Sequence, residues 1–421
     1  MNHSWFETFA ALRHRNFRLF YTGQAISLMG SWMQSVALNW LVLILTDSSF
    51  FLGLVGALQT LPVLIFSFMG GVVADRAHKR RLLFLTQSSM MLLALILGLL
   101  VSGDLVTRWL LCVLVFLSGT TMAFDIPVRQ AFIVDLVGKP DLANAIALNS
   151  TLFNGTRVIG PALAGVLIAQ VGMANCFYLN AVSFLAVLLA LAWMKLPPRG
   201  PAPHLPFGQA LRELADYLRE HRDLKAIFIL LTTVSILGHS YYVLLPKLVK
   251  DVFGGGSREF GLLMAVSGLG AFLGGLTLAR RLRTRPPMPS FLGGLGIFLA
   301  GLLALSLVRH YYLALPAIGL VGFGMVTQLS TGNSLLQLNV PDQMRGRIMS
   351  LFGLIVMGSV PAGSLMYGAV AHYLGPSLTI TGGSLLSAAS AGIILLRYPH
   401  LRHMDFQEPL APRGASGLPG G

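Results

Sequence analysis

Twelve stretches of this chain are each long and apolar enough to cross a bilayer as a helix, which takes about twenty predominantly apolar residues. They run Leu19 to Leu45, Phe50 to Val73, Leu82 to Ser102, Trp109 to Phe124, Leu142 to Val171 and Ala174 to Met194, then Ala226 to Val249, Phe260 to Ala279, Met288 to Leu307, Tyr312 to Leu336, Ile348 to Leu374 and Ser377 to Leu396. A chain of 421 residues that is 55% hydrophobic and only 11% charged cannot coat a soluble globule of that size with polar surface. The expected fold class is an all-α, multi-pass membrane protein with twelve transmembrane helices.

The formal charge of +14 invites a nucleic-acid reading. The basic residues are instead spread through short interhelical loops, without the aromatic interleaving of a nucleic-acid surface, and so no nucleic-acid partner is expected. Arg108, Lys247, Lys250, Arg258 and Arg309 fall in loops of one side and Arg157 within the membrane, while the rest of the 30 basic residues gather on the other side with both termini. By the positive-inside rule that second side is cytoplasmic, in a cytoplasmic (inner) membrane of bacterial type. The basic, amphipathic start MNHSWFETFAALRHRNFR has no apolar core followed by a small-residue cleavage site, so no cleaved signal peptide is expected. Cys112 and Cys176 both lie in apolar segments and form no CxxC or metal-ligand spacing. Neither a disulfide framework, a metal site nor a cofactor follows.

One long internal loop divides the twelve spans six and six. Residues 1–194 form an N-terminal six-helix bundle, 195–225 a cytoplasmic linker, 226–397 a C-terminal six-helix bundle and 398–421 a tail without apolar periodicity, expected to be disordered. The linker opens with LPPRGPAPHLP and continues GQALRELADYLREHRDLK. There Phe207, Leu211, Leu214 and Leu218 recur at helical spacing opposite Arg212, Glu213, Asp216 and Arg219, the pattern of a helix lying on the membrane face.

The halves repeat each other. KPDLANAIALNS before span 5 resembles VPDQMRGRIMSL before span 11, aligning Pro140-Asp141 with Pro341-Asp342. Gly165 and Gly172 have the spacing of Gly368 and Gly375. GLVGALQTLPVLIFSFMGGVVADR, starting at Gly53, parallels GLLMAVSGLGAFLGGLTLAR, starting at Gly261, and pairs Gly71 with Gly275 and Arg76 with Arg280. Such repeats imply two pseudo-symmetric six-helix bundles with a site between them near the midplane.

After span 2 the chain reads GGVVADRAHKRR. Gly71, Asp75, Arg76, Lys79 and Arg80 resemble the loop signature of the major facilitator superfamily, although His78 replaces that family's usual second glycine. The resemblance implies the major facilitator fold and a loop whose Asp75 meets the N-terminus of span 11. The glycine would allow close helix approach. Ala279 stands where the second half would carry the aspartate, which leaves any such latch one-sided. At the end of span 4, FDIPVRQAF carries Asp125 and Arg129 and resembles the third drug:proton antiporter group, the macrolide-efflux and enterobactin-exporter-like proteins. Asp125 is then either the partner of Arg76 or Arg80 in an ionic gate, or half of an interfacial pair contributing roughly 0 to 1 kcal/mol.

In span 5, GTRVIGPALAG resembles the superfamily's antiporter motif. Gly160 and Pro161 should bend the helix, and Gly155, Gly160 and Gly165 should pack closely on a neighbour. Arg157 shares a face with Ser150, Asn154 and Pro161, and no acid within the membrane is available to pair with it. An intramembrane charge is costly and usually faces a bundle interior or a wet cavity. Arg157 either binds an anionic group of the cargo or is satisfied by span 1. Span 1 aligns Gln24, Ser27, Ser31 and Gln34, span 7 aligns Thr232, Ser235, His239 and Tyr242, and span 10 adds Gln328, Thr331 and Ser334. His239 is read either as a proton carrier or as a hydrogen-bonded core histidine.

The resulting expectation is a monomeric secondary transporter that exports a small amphipathic, anionic or electron-rich compound, a drug or siderophore-like metabolite, by alternating access. Protons are the expected coupling ion, through Asp125, Asp47 or His239. A lipid or lysolipid flippase on the same fold is the rival. A polytopic enzyme is disfavoured because HExxH, a nucleophile elbow and a phosphate loop are absent, and a channel because broken helices and filter-like repeats are absent.

Overall fold

A computed structural model describes residues 9–76, 78–138, 140–194, 217–219, 221–281, 287–399 and 401. Of the linker helix expected from Phe207 past Arg219, residues 207–216 lie outside the described residues, while 217–219 are helical with Leu218 packed against the apolar core; of the tail, Leu401 is buried and residues from 402 onward lie outside the described residues. After a 3-10 turn at Ala10–Arg13 come α1 (Arg15–Thr46), α2 (Ser49–Arg76), α3 (Lys79–Ser102), α4 (Arg108–Val137), α5 (Leu142–Val171) and α6 (Met173–Trp193). The second half holds α7a (Arg222–Leu237), a 3-10 segment (His239–Leu244), α7b (Leu245–Asp251), α8 (Ser257–Arg281), α9 (Pro287–Leu307) and α10 (Tyr311–Leu338). A last run, Asp342–Arg397, is broken at Gly375, whose φ of 77° no helix accommodates, into α11 (342–374) and α12 (376–397). Gly172, with φ 87°, makes the matching turn between α5 and α6, as the alignment of Gly172 with Gly375 predicts.

Two expectations about helix extent are corrected. α4 does not stop near Phe124 but continues to Val137, so Asp125 and Arg129 lie within a helix and not at its end. The apolar window missed this because polar residues interrupt it while the backbone ladder does not. Span 7 is not one helix either. α7a ends at Leu237, and the chain winds as a 3-10 segment through His239–Leu244 before α-helix resumes. The cause is tertiary: the Tyr367 hydroxyl on α11 donates to the Leu237 carbonyl, supplying from another helix the partner that a break removes. A Cβ on Gly363 would lie 2.9 Å from Ile236 O, so α11 backs directly onto the break. Because i and i+3 eclipse in a 3-10 helix, His239 and Tyr242 still point the same way.

Within the first half α1 packs on α5 and α6, α3 on α4 and α6, and α2 on α4; within the second, α10 packs on α8 and α9, and α7a on the 342–397 run. The halves meet along two seams, α2 with the 342–397 run and α5 with α8. Both seams are closed by glycines. A Cβ on Gly53 would lie 2.8 Å from Gly368 Cα, and one on Gly261 would lie 2.6 Å from Gly165 Cα. These four are the glycines that the internal repeat aligns, Gly53 with Gly261 and Gly165 with Gly368, so the repeat in sequence becomes a pseudo-twofold pair of contacts in space. All lie toward the side opposite the termini. A Cβ on Gly71, Gly346 or Gly353, toward the terminus side, would meet nothing within 4 Å among the described residues. The glycine contacts between the halves are thus found toward the side opposite the termini.

Candidate functional site

Arg157 occupies the inner end of the α5–α8 seam, where a Cβ on Gly268 would lie 2.7 Å from its carbonyl oxygen. Its guanidinium stands over the Trp32 ring of α1, 5.8 Å from the centroid, the geometry of a cation–π contact. Trp32 is held in turn by Phe153, edge-on at 5.6 Å, and by Gly160, whose Cβ would lie 2.5 Å from Trp32 Cβ. No carboxylate pairs with Arg157 among the described residues. Tyr241 and Tyr242, on the 3-10 segment of the other half, are within electrostatic range of it. A half-buried cation over an indole face, with no carboxylate beside it among the described residues, suits an anion.

The remaining expected site residues divide. Tyr242 joins Arg157, but Gln24 and Gln34 do not. Gln24 is buried and accepts from Arg129 Nη1 at 3.2 Å, and Gln34 Oε1 accepts from Asn180 at 2.7 Å. Asn154 donates to the Ser150 carbonyl one turn back, at 2.8 Å. Thr331 is fully buried and bonds to Thr327 O at 2.6 Å. Gln328 is also fully buried, and neither atom of its amide has a partner among the described residues. His239 is edge-on to Phe298, 4.9 Å between centroids, and its Nε2 has no partner among the described residues.

The motif residues are placed as follows. Asp125 pairs neither with Arg80 nor at a boundary. It is 2% exposed, its Oδ1 accepts from Thr86 Oγ1 and Gln87 Nε2, both at 2.8 Å, and its Oδ2 lies 3.6 Å from Arg129 Nε. Arg80 reaches instead to the Ala192 carbonyl at 2.9 Å, and Lys79 to Asp135 at 2.9 Å. The reason is reach: Asp125 is sunk in the bundle at the level of Thr86 and Gln87 on α3, more than one turn along that helix from Arg80 near its start. Gly71 and Gly155 make no close approach; Gly70 does, with a Cβ 3.2 Å from Phe124 Cα. α5 runs unbroken through Gly160 and Pro161. The side chains of Asp75 and Arg76 lie outside the described residues.

Tyr241, Ser267, Thr86 and Gln87 were not singled out from the sequence. Thr86 and Gln87 carry no signal except as polar residues in an apolar run. On the side opposite the termini a further cluster ties the halves: Lys247 Nζ is 2.7 Å from Asp47 Oδ1 and 3.1 Å from Asp251, and Lys250 Nζ is 3.0 Å from Asp47 Oδ1. Lipid-facing residues of α1, α5 and α6, among them Ile26, Ile159, Leu163 and Leu179, border an apolar groove of about 620 Å³.

Two helical halves joined by repeated seams around a charged midplane site define a transporter of the major facilitator superfamily, of the efflux type, and not an enzyme. The chain belongs to the transmembrane secretion effector family, which it matches over residues 6–413. It is 30% identical over 364 residues to the staphyloferrin A transporter of Staphylococcus aureus, covering 85% of this chain and 90% of that one. It is 27% identical over 426 residues to the enterobactin exporter of Citrobacter koseri, covering 98% and 99%. In three dimensions it resembles a bacterial homologue of the human lysosomal transporter Spinster, with TM-score 0.74 at 16% identity over 94% of this chain and 98% of that one, a likeness of fold.

Proposed function

We propose that this transporter exports a small, oxygen-rich anionic compound of siderophore-like character from the cytoplasm, by alternating access between its two halves. The observation that carries this reading is Arg157, set at the seam over the Trp32 ring with no carboxylate partner among the described residues. The relatives named for staphyloferrin A and enterobactin support the same class of cargo. The termini face the cytoplasm on this reading, as the loop charges argue, and the described arrangement is then inward-open with the outer side latched through Asp47 and Lys247. A monomer suffices, because both halves of the site lie in one chain.

Protons are the proposed coupling ion. Of the three expected carriers, Asp125 is hydrogen-bonded and paired and Asp47 is held by two lysines at the surface. His239, with its unpartnered Nε2 at the break in span 7, is the group we assign. The test is uptake into inside-out vesicles with and without an imposed pH gradient, using a citrate-based and a catecholate siderophore beside a cationic drug. Accumulation of an anion by the wild type and none by Arg157→Ala at equal expression is expected. Equal transport by the variant would sink the reading.

A second reading, lipid or lysolipid flipping, is favoured by the apolar groove over α1 between α5 and α6. It predicts phospholipid movement in the same vesicles, unaffected by siderophore.

A further inference from the structure

Gly160 is the glycine of the Gly-Pro pair in α5, and its use in the structure is not a bend, since α5 runs helical through Gly160 and Pro161. A side chain there would strike α1: its Cβ would lie 2.5 Å from Trp32 Cβ and 3.1 Å from the Met29 carbonyl oxygen. The absent side chain lets the stem of Trp32 lie directly on α5. Phe153 braces the ring itself, edge-on to the indole at 5.6 Å and 61°. Residues 153, 157 and 160 stand four and three apart on α5, so phenylalanine, arginine and glycine share the face that meets Trp32. Arg157 is the middle one, its Cζ 5.8 Å from the indole centroid.

An arginine held by a ring differs from one held by an acid. Among the described residues the Arg157 guanidinium makes no ion pair and no side-chain hydrogen bond. The indole attracts the cation through its quadrupole and occupies none of its N–H donors as a carboxylate would. The charge is therefore directed while its hydrogen-bonding capacity stays available. An acid in the place of Trp32 would neutralise the charge, and an aliphatic residue would leave a long side chain to its many rotamers. Both Arg157 and Trp32 are half-buried, so the pair is not sealed in the core.

We propose that Trp32 is the positioning residue of Arg157, seated by Gly160 and braced by Phe153, and that it aims the unpaired guanidinium at a carboxylate or catecholate of the cargo without competing for its donors. The inference rests on the reading of the protein as an anion exporter. It gives the glycine of the Gly-Pro pair a use, since the space that Gly160 leaves is filled by Trp32. Trp32 and Arg157 both belong to the first half, on α1 and α5, so the pair moves as one when α5 parts from α8. The aim of the arginine survives that change of access, while the contact of its backbone with Gly268 does not.

The experiment is equilibrium binding to the purified full-length protein, with citrate and 2,3-dihydroxybenzoate as separate probes and ethidium as a cationic control. At position 32 alone, nonsense suppression replaces tryptophan by a series of increasingly fluorinated tryptophans, which drain the negative ring face and keep its shape. Wild type is expected to bind one of the two oxyanions, and which one distinguishes a carboxylate from a catecholate. Arg157→Gln should lose that binding. Trp32→Leu should weaken it about three- to ten-fold and Trp32→Phe less, and the fluorinated series should weaken it stepwise at an unchanged melting temperature. Gly160→Ala should weaken binding as Trp32→Leu does, and the two together no more than either alone.

Fluorination is the readout that packing alone would not move. A flat series, or Trp32→Leu binding as wild type, overturns the positioning role and leaves the anion-export reading in place while Arg157→Gln is defective. If Arg157→Gln binds as wild type, or if the wild type binds neither oxyanion or only ethidium, that reading falls and the proposal with it. Additive losses from Gly160→Ala and Trp32→Leu would overturn the seat assigned to Gly160.

Discussion

Lys247 Nζ lies 2.7 Å from Asp47 Oδ1, joining residues 200 positions apart and the two halves of the molecule. Asp47 caps α1 in a left-handed conformation, φ 45°, and its carbonyl oxygen also accepts from Lys247 at 3.0 Å. The lysine thus reads both the side chain and the strained turn that presents it. This contact must break whenever the two halves part on that side.

Loosening the latch should therefore populate the other conformation. Asp47→Asn or Lys247→Gln is expected to raise labelling of cysteines introduced along the outer part of the α5–α8 seam by impermeant reagents added from the outside. Unchanged labelling would show that the glycine seams alone hold this side shut.

The latch has a defined pH window. Hydrogen bonds from Lys247 and Lys250 hold the Asp47 carboxyl below its ordinary value of 3.8. A group whose pKa is depressed in the closed state stabilises that state fully above its ordinary pKa, and the contribution disappears as pH falls through the depressed value. Outer-side labelling should be the same at pH 5 and pH 8 as far as Asp47 is concerned. A change centred between those values would have to come from another group, and Asp47→Asn would leave it in place.

The glycine seam predicts a steric asymmetry. A Cβ on Gly261 would stand 2.5 Å from the Pro161 carbonyl oxygen, backbone that cannot give way locally. Gly261→Ala should wedge the seam, reduce export several-fold and shift labelling outward. Gly155→Ala, on the same α5 motif but with nothing within 4 Å, should transport as wild type. Equal effects of the two substitutions would contradict the assigned seam.

Asp125 is a structural charge. Replacing it by Asn removes the carboxylate beside Arg129, which keeps only Gln24, and retains the acceptor for Thr86, so Asp125→Asn should lower the melting temperature by an amount corresponding to about 1–3 kcal/mol. Adding Arg129→Gln should recover part of that loss in a double-mutant cycle. If Asp125→Asn melts as wild type but loses pH-dependent transport, Asp125 and not His239 carries the proton.

Tyr367 supports the break in span 7 by donating to the Leu237 carbonyl. Tyr367→Phe leaves that carbonyl unsatisfied and should cost about 1–2 kcal/mol of thermal stability. Full stability would mean that the break is set by Gly238 and the α11 contacts alone.

Legibility differed by kind of feature. The helical spans were plain apart from the length of α4 and the break in span 7, and the repeat marked Gly165 and Gly368 as equivalent; that these meet Gly261 and Gly53 across the halves was seen only in the structure. Arg157 was visible as an isolated charge. Its neighbours were less so: Tyr242 lies on the polar face that helical spacing selects, whereas Tyr241 sits one residue off that face and carries no signal of its own. Asp125 was misread as a boundary residue because its donors Thr86 and Gln87 are on α3, distant in sequence.

By itself the sequence determined that the chain spans a membrane as helices, how the spans divide into halves and which face collects the basic loops. These are set by apolar length, charge placement and glycine recurrence, all local properties of the chain. Only the tertiary structure decided that span 7 is broken, that Asp125 is buried and paired, and that Arg157 lies on the seam with its backbone against Gly268 of the opposite half. Each of those depends on a residue meeting its partner on a different helix, and inside a membrane, where water cannot stand in, that partner decides the backbone and the site alike.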